Sequence, residues 1–219
     1  AGPAGATLAV TGTGFQMVGT SFLRSGGGSF TNTGRLLKAA TGSNFSGVAE
    51  VTVRNEGVVE IPSSLGLYAG GVLRNEPGGV VRAMGEGRLA GDGNGTGRFE
   101  NAGLFVLDAP SGSFSFNDGG FGGNSGPYSQ PGSEIRVLSG TLDLVGPGSR
   151  TLPAGTSLTG TGSVGLPGSL FVEGTVSPGT AAEPIGTLQP VGTFRLASSA
   201  RTVIDVGAGG VSDRLGDVE

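Results

Sequence analysis

One short phrase recurs four times in the first half of this chain, and it constrains the fold more than any other feature of the sequence. The phrase consists of an apolar residue, an asparagine, a glycine and a second apolar residue, spaced by single residues, with extra residues in the third copy. Its asparagines are Asn32, Asn55, Asn75 and Asn101, so successive copies are 23, 20 and 26 residues apart. A repeat length in this range, built from strands and turns without a helical pattern, predicts a β-solenoid.

Each copy of the phrase is typical of a strand, a tight corner and a second strand. We expect its glycine to supply the positive φ that a corner requires. In stacked coils, equivalent asparagines would lie about 4.8 Å apart, so their amides could bond one another as an asparagine ladder. The alternative is that each asparagine is only a turn residue. Neither interpretation makes these four residues catalytic.

Apolar residues alternate with polar ones on both sides of the corners, which is the pattern of strands with one buried face. The predicted inward-facing residues of this half are Leu36, Val51, Val53, Val59, Ile61, Leu65, Leu67, Leu73, Val81, Leu89, Phe99, Phe105 and Leu107. If each coil takes about 20–25 residues, the length of the sequence predicts one solenoid domain, residues 1–219, of roughly ten coils.

Residues 108–133 interrupt this rhythm as an irregular insertion rich in glycine and aromatic residues. Its aromatic residues are Phe114, Phe116, Phe121 and Tyr128. One interpretation is an enlarged corner whose aromatic rings cover the core. The other is an exposed loop that contacts a sugar, a partner or the next subunit.

A different phrase, glycine, serine or threonine, and an apolar residue, dominates residues 134–219. Several segments of this half resemble the strand repeats of bacterial autotransporter passenger domains: residues 174–179 (GTVSPG), 185–188 (IGTL), 192–196 (GTFRL) and 212–215 (SDRL). The resemblance covers about residues 138–219, and the asparagine-containing half is similar to repeats of large secreted bacterial adhesins. It implies a right-handed parallel β-helix displayed outside the bacterial cell.

Composition removes several functional classes. The chain has 47 glycines and 12 prolines among 219 residues, which suits many corners, and its net charge of −4 argues against nucleic-acid binding. It has no cysteine and no histidine, so thiol nucleophiles and the commonest general base and metal ligand are absent. No apolar run is long enough to span a membrane as a helix.

Two local patterns could carry chemistry, and each has a simpler explanation. Asp92, Asn94 and Thr96 are spaced like calcium ligands, but the glutamate that completes a calcium loop is missing, which favours a glycine-rich turn. Arginine before and glutamate after the repeat asparagine, as in Arg54 and Glu56, predict a charge ladder on the outer face. The acidic residues are scattered, so we predict no enzyme, no metal and no cofactor.

Two functions remain open at this point. The first is a non-catalytic extracellular solenoid, structural or adhesive, that belongs to a surface fibre. Exposed coil ends then predict head-to-tail self-association or continuation into further repeats. The alternative is a carbohydrate-binding or carbohydrate-processing β-helix, with a surface glycan as its partner.

Overall fold

The structure is a computed structural model that describes residues 7–10, 15–17, 22–38, 46–91, 96–117, 128–144 and 150–216. Within these residues the chain forms 21 β-strands and one short 3-10 turn, and there is no α-helix. The strand content follows from the alternating apolar pattern and from the many β-branched residues.

The strands, numbered in chain order, are short and closely spaced. They are β1 (Thr7–Val10), β2 (Phe15–Met17), β3 (Phe22–Asn32), β4 (Arg35–Lys38), β5 (Ser46–Asn55), β6 (Val58–Ile61), β7 (Leu65–Tyr68), β8 (Val72–Asn75), β9 (Val80–Ala83), β10 (Gly87–Gly91), β11 (Arg98–Asn101), β12 (Leu104–Asn117), β13 (Tyr128–Ser129), β14 (Glu134–Asp143), β15 (Arg150–Leu152), β16 (Ser157–Gly160), β17 (Ser163–Val172), β18 (Thr175–Pro178), β19 (Thr187–Leu196), β20 (Arg201–Thr202) and β21 (Arg214–Leu215). The 3-10 turn spans Ala208–Gly210.

Every pairing between these strands is parallel and joins each strand to one a turn later, which confirms the predicted β-solenoid. The pairings form three faces. Face 1 begins with β1, face 2 begins with β2, and face 3 begins with the first half of β3. Long strands such as β12 and β19 bend at a corner and contribute to two faces.

The solenoid has fewer turns than the sequence predicts. Face 2 climbs from β2 to β20 in eight steps, so the structure has slightly fewer turns than the roughly ten predicted. Two features use more chain than a regular coil does. The step from Leu104 to Glu134 takes 30 residues, and residues 203–213 form a closing loop outside the three faces.

The alternation predicted from the sequence defines the core. All 13 predicted inward-facing residues are buried, each no more than 5% exposed. The apolar residue of the second phrase is buried in every copy: Leu142, Leu158, Val164, Leu170, Val176, Leu188 and Phe194. The two phrases therefore build one continuous hydrophobic column.

Four phenylalanines fill the turn that contains β11 and β12. Phe99 comes from face 1, Phe105 from face 2, and Phe114 and Phe116 from face 3. Their ring centroids lie 5.1 to 6.3 Å apart, within the range of favourable aromatic pairs.

At two of the four aromatic residues, this cluster favours the interpretation that the rings cover the core and argues against the exposed contact loop. Phe114 and Phe116 are buried, because β12 continues as a regular strand to Asn117 and points both rings inward. Phe121 lies outside the described residues. The backbone of Tyr128 belongs to β13 and pairs with Glu100.

Gly78, in the third copy of the repeat phrase, has the predicted positive φ of 87°, but two other glycines of the phrase have a different purpose. Neither Gly57 nor Gly103 has a positive φ. Instead, a Cβ on Gly57 would lie 2.2 Å from the carbonyl oxygen of Gly34, and one on Gly103 would lie 2.4 Å from that of Gly79. The corners of successive coils thus approach so closely that no side chain fits between them.

We predict that Gly57→Ala destabilises the solenoid by about 1–3 kcal/mol, since the added methyl group overpacks a contact between two backbones. Urea unfolding followed by circular dichroism measures this change.

The matched control is Gly207→Ala. Gly207 also has a negative φ, but its Cβ would lie 3.5 Å from the Ile185 side chain, an ordinary contact. Its stability should stay within about 0.5 kcal/mol of wild type. Equal losses in the two variants would contradict the close-approach explanation.

Candidate functional site

The four repeat asparagines form a continuous column of hydrogen bonds inside the solenoid. The Nδ2 atom of Asn32 donates to Oδ1 of Asn55, Asn55 donates in the same way to Asn75, and Asn75 to Asn101. The distance from Nδ2 to Oδ1 is 2.8 Å in each hydrogen bond. All four residues are fully buried. The asparagine ladder, one of the two alternatives left open by the sequence, is therefore present.

Each ladder amide also secures the corner above it. The Nδ2 atom of Asn55 donates a second hydrogen bond to the carbonyl oxygen of Val80 at 3.0 Å, and Asn75 donates to Leu104 at 3.1 Å. An interior amide thus uses both protons and accepts one hydrogen bond. Buried polar groups are stable only when they are satisfied in this way.

The ladder ends where the column changes residue. Val10 lies in register below Asn32, and the Oδ1 atom of Asn32 has no donor among the described residues. Ser129 lies in register above Asn101, and its buried hydroxyl likewise has no partner there. The unpaired polar atoms of the column thus lie at its two ends and are buried.

Arginine and glutamate side chains form a second ladder on the outer surface, as predicted from their spacing. Arg54 Nε donates to Glu76 Oε1 at 2.7 Å, and Arg74 Nε donates to Glu100 Oε2 at 2.5 Å. Glu76 and Glu100 each belong to the coil that follows their arginine. Hydrogen bonding to Glu76 raises the pKa of Arg54.

Glu100 is the best-held carboxylate of this outer ladder. It accepts hydrogen bonds from both Arg74 and Arg98. Burial alone would raise the pKa of Glu100, but the hydrogen bonds and positive charges of the two arginines outweigh burial and lower it. Glu100 is therefore ionised and engaged, which suits a structural ion pair and not a general base.

A small groove on face 2 brings together two of the scattered acidic residues. Its volume is about 220 Å³, and Glu134, Arg136, Thr159 and Asp205 lie in its lining. The carboxylate of Glu134 accepts hydrogen bonds from Arg136 Nε at 2.8 Å, Arg136 Nη2 at 3.0 Å and Thr159 Oγ1 at 2.6 Å. Both of its oxygens are occupied, so it is not a free partner for Asp205.

Lys38, the single lysine of the chain, is buried. It occupies the inward position after Leu36 on β4, and its Nζ atom donates to Ser63 Oγ at 2.6 Å. Burial lowers the pKa of Lys38. Sequence reasoning did not single out this residue, although the alternation from Leu36 to Lys38 contained the signal.

Asp213 is a second residue whose role the sequence did not reveal. Its buried carboxylate accepts hydrogen bonds from the backbone N–H of Gly186 at 2.7 Å and from that of Asp205 at 2.9 Å. It therefore fastens the closing loop, residues 203–213, to the start of β19. This contact gives a physical reason for the aspartate in the SDRL segment.

The remaining chemical candidates offer no metal site among the residues that can be described. No group of three or more acidic residues there could hold a metal ion. Asp92 and Asn94 lie outside the described residues, and the Oγ1 atom of Thr96 accepts a hydrogen bond from the Gly70 amide at 2.9 Å.

Within the described residues, no helix combines the length and the apolar character needed to cross a membrane. No protein-family model matches the sequence, and comparison with curated proteins and with solved structures finds no match. The arguments about function therefore depend on the geometry and on the sequence patterns.

Because Asn75 belongs to the ladder, we predict that Asn75→Ala and Asn75→Asp reduce the stability of the protein more than the same substitutions would in an ordinary turn. Asn75→Ala leaves Asn101 Oδ1 and the Leu104 carbonyl without donors, and we expect a loss of about 2–4 kcal/mol in urea unfolding at neutral pH.

The substitution Asn75→Asp distinguishes the ladder from the explanation that asparagine is only a turn residue, because aspartate suits turns as well as asparagine does. It donates neither hydrogen bond and places a carboxylate in a buried site, where its folded-state pKa is raised. The variant should therefore be less stable than wild type at pH 7 and should regain stability as the pH falls. A stability equal to wild type at pH 7 would contradict the ladder.

The two arginine contacts of Glu100 predict that part of the stability of the protein is lost in acid. Its pKa is lowered in the folded state, so its contribution is present above the ordinary glutamate range, about 4.3, and is lost as the pH falls through the lowered value. Glu100→Gln should reduce the stability at neutral pH and flatten the stability loss below that range.

The control for this measurement is Glu56→Gln. Glu56 is 42% exposed and lies 3.6 Å from Arg54, and such exposed pairs contribute little. Its stability profile between neutral pH and pH 3 should follow wild type. If Glu100→Gln also follows wild type, the double arginine contact does not stabilise the fold.

Proposed function

We propose that this protein is a non-catalytic, extracellular β-solenoid, structural or adhesive, that forms part of a fibre on the bacterial surface. The observation that carries the proposal is the buried asparagine ladder, which fixes the vertical register of four consecutive coils. An enzyme needs unsatisfied reactive groups in an accessible site. The amides of this ladder are instead buried and bonded to one another, except for the unpaired Oδ1 atom of Asn32 at its lower end.

The outer surface supports the same interpretation. Glu76 and Glu100 of the outer ladder pair with arginines of the preceding coil, and Glu134 is held by three hydrogen bonds. The chain also has no histidine and no cysteine. The location at the bacterial surface is supported by the resemblance of residues 138–219 to autotransporter passenger domains.

The groove on face 2 favours a second candidate, carbohydrate binding. Its lining offers an arginine, two carboxylates and hydroxyl groups, which are the kinds of groups that bond sugar hydroxyls. Its volume of about 220 Å³ is below the range of about 300–1,000 Å³ typical of ligand pockets. The groove therefore suits contact with one residue of a surface glycan better than enclosure of a substrate.

Localisation tests the first proposal directly. Antibodies raised against the purified chain should label intact, unpermeabilised bacteria that express it, and electron microscopy with gold conjugates should place the label on surface fibres. An antibody against a cytoplasmic protein of the same cells serves as the permeability control. Labelling of this chain only after permeabilisation would contradict the proposal.

A glycan array tests the second candidate with the same protein. Binding that is weakened by Arg136→Ala and retained in Arg82→Ala would support a glycan site in the groove. Turnover of a polysaccharide that is abolished by Glu134→Gln would overturn the non-catalytic assignment.

A further inference from the structure

The asparagine ladder stops at a corner that contains two buried serine hydroxyl groups. Ser129 follows Asn101 in register, and Ser133 lies in the same corner, directly before β14. Ser129 is 9% exposed and Ser133 is 2% exposed, and neither Oγ atom has a hydrogen-bond partner among the described residues. Because an unbonded hydroxyl group inside a protein is costly, both groups call for a partner.

The uppermost amide of the ladder has a donor left over at the same corner. The Nδ2 atoms of Asn55 and Asn75 each donate twice, once to the asparagine above and once to a backbone carbonyl. The Nδ2 atom of Asn101 donates only to the carbonyl oxygen of Glu134, at 3.3 Å. Its other proton has no acceptor among the described residues, because Ser129 replaces the next asparagine and its oxygen is one bond nearer to the backbone.

Ser133 occupies a corner position that is glycine throughout the ladder. It directly precedes β14 on face 2, as Gly103 directly precedes β12, and the two strands are in register. A Cβ on Gly103 would lie 2.8 Å from Nδ2 of Asn75, so a side chain at this position approaches the amide of the coil below. The same geometry places the hydroxyl group of Ser133 beside the amide of Asn101.

The coil above this corner continues the column with hydrocarbon. Leu152 lies five residues before Ser157, as Ser129 lies five residues before Glu134, and Ser157 and Glu134 are in register. Leu152 is buried and is followed in register by the buried Val172. The corner of Ser129 is therefore the boundary between the polar ladder and an apolar column, and the apolar side supplies no hydrogen-bond partner.

We propose that one water molecule is bound at this boundary, between Asn101, Ser129 and Ser133. It accepts the second Nδ2 proton of Asn101 and forms hydrogen bonds with both serine hydroxyl groups, which gives it the three partners that are typical of a buried water. The water takes the place of the next asparagine amide and closes the ladder beneath the apolar column. This inference goes beyond the proposed function, since it concerns only the interior of the solenoid.

The chemistry of the three groups selects water over an ion. The Nδ2 proton of Asn101 would repel a cation, and the nearby carboxylate of Glu134 is held on the outer surface by Arg136. An anion would be buried beside neutral groups alone, without a positive charge to balance it. Water both donates and accepts hydrogen bonds, as do the two hydroxyl groups, so it satisfies all three groups at once.

Two substitutions at Ser129 should displace the water by different routes. Ser129→Asn extends the ladder, because its Oδ1 atom can accept the second proton of Asn101. Ser129→Val extends the apolar column downward and fills the same space with methyl groups. The matched control is Ser163→Asn, at a half-buried outward position of β17 on face 3. Circular dichroism of the full chains verifies that each variant folds.

Oxygen-17 magnetic relaxation dispersion counts the water molecules that remain inside a protein for long times, and it is insensitive to exchange of the serine hydroxyl protons. We expect the wild type and Ser163→Asn to hold one long-lived water molecule more than either Ser129 variant. An equal count in the wild type and in a folded Ser129 variant would overturn the proposal.

A high-resolution crystal structure of the wild type supplies a test that needs no variant. It should show one ordered water within about 3.2 Å of Asn101 Nδ2 and of both serine Oγ atoms. The competing arrangement is a hydroxyl group that bonds within its own turn, as Thr156 Oγ1 does by donating to the carbonyl oxygen of Pro153 at 2.6 Å. Such a bond from Ser133, or a direct bond between the two serines, without a water between them would overturn the proposal.

Discussion

The hydrogen bond between one side-chain amide and the amide a turn above it is the interaction on which the rest of this structure depends. A parallel solenoid has no covalent device that holds one coil in register with the next, and a slip of one residue would exchange buried and exposed faces. The asparagine ladder prevents such a slip across four coils, because a displaced amide would lose its partners inside a dry core. The hydrophobic column can then form with each apolar residue directly above another.

The close approach of the corners follows from the same register. Because the ladder brings consecutive corners together, Gly57, Gly79 and Gly103 each face a backbone carbonyl of the coil below instead of open space. The outer ion pairs add a smaller, salt-dependent contribution in the same vertical direction. Together these contacts explain how a chain with only 14% charged residues distributes its few charges between coils.

Sequence patterns predicted the part of this fold that depends on period-two alternation. The thirteen inward residues and the strands around them follow from local order alone. The sequence could not decide between a ladder and isolated turns. That choice depends on whether the corners accommodate the different lengths of the repeats. In the third copy the extra residues Pro77 and Gly78 are exposed at the corner, so Asn75 keeps its place in the column.

Other features required the spatial arrangement of coils that are distant in sequence. The need for Gly57 arises from the carbonyl of Gly34, and the burial of Phe114 and Phe116 arises from the neighbouring Phe99 and Phe105. The direction of the ion pairs, from an arginine to a glutamate one coil later, is likewise invisible in a single repeat.

Hydrogen exchange of the asparagine side-chain amides, observed by NMR, tests the central claim most directly. The account predicts that both Nδ2 protons of Asn55 and of Asn75 exchange slowly, at rates limited by unfolding of the surrounding coils, because each proton has an acceptor inside the core. Exchange of these protons at the rate of solvent-exposed amides, in a chain whose circular dichroism shows an intact β-structure, would contradict the ladder and the register that depends on it.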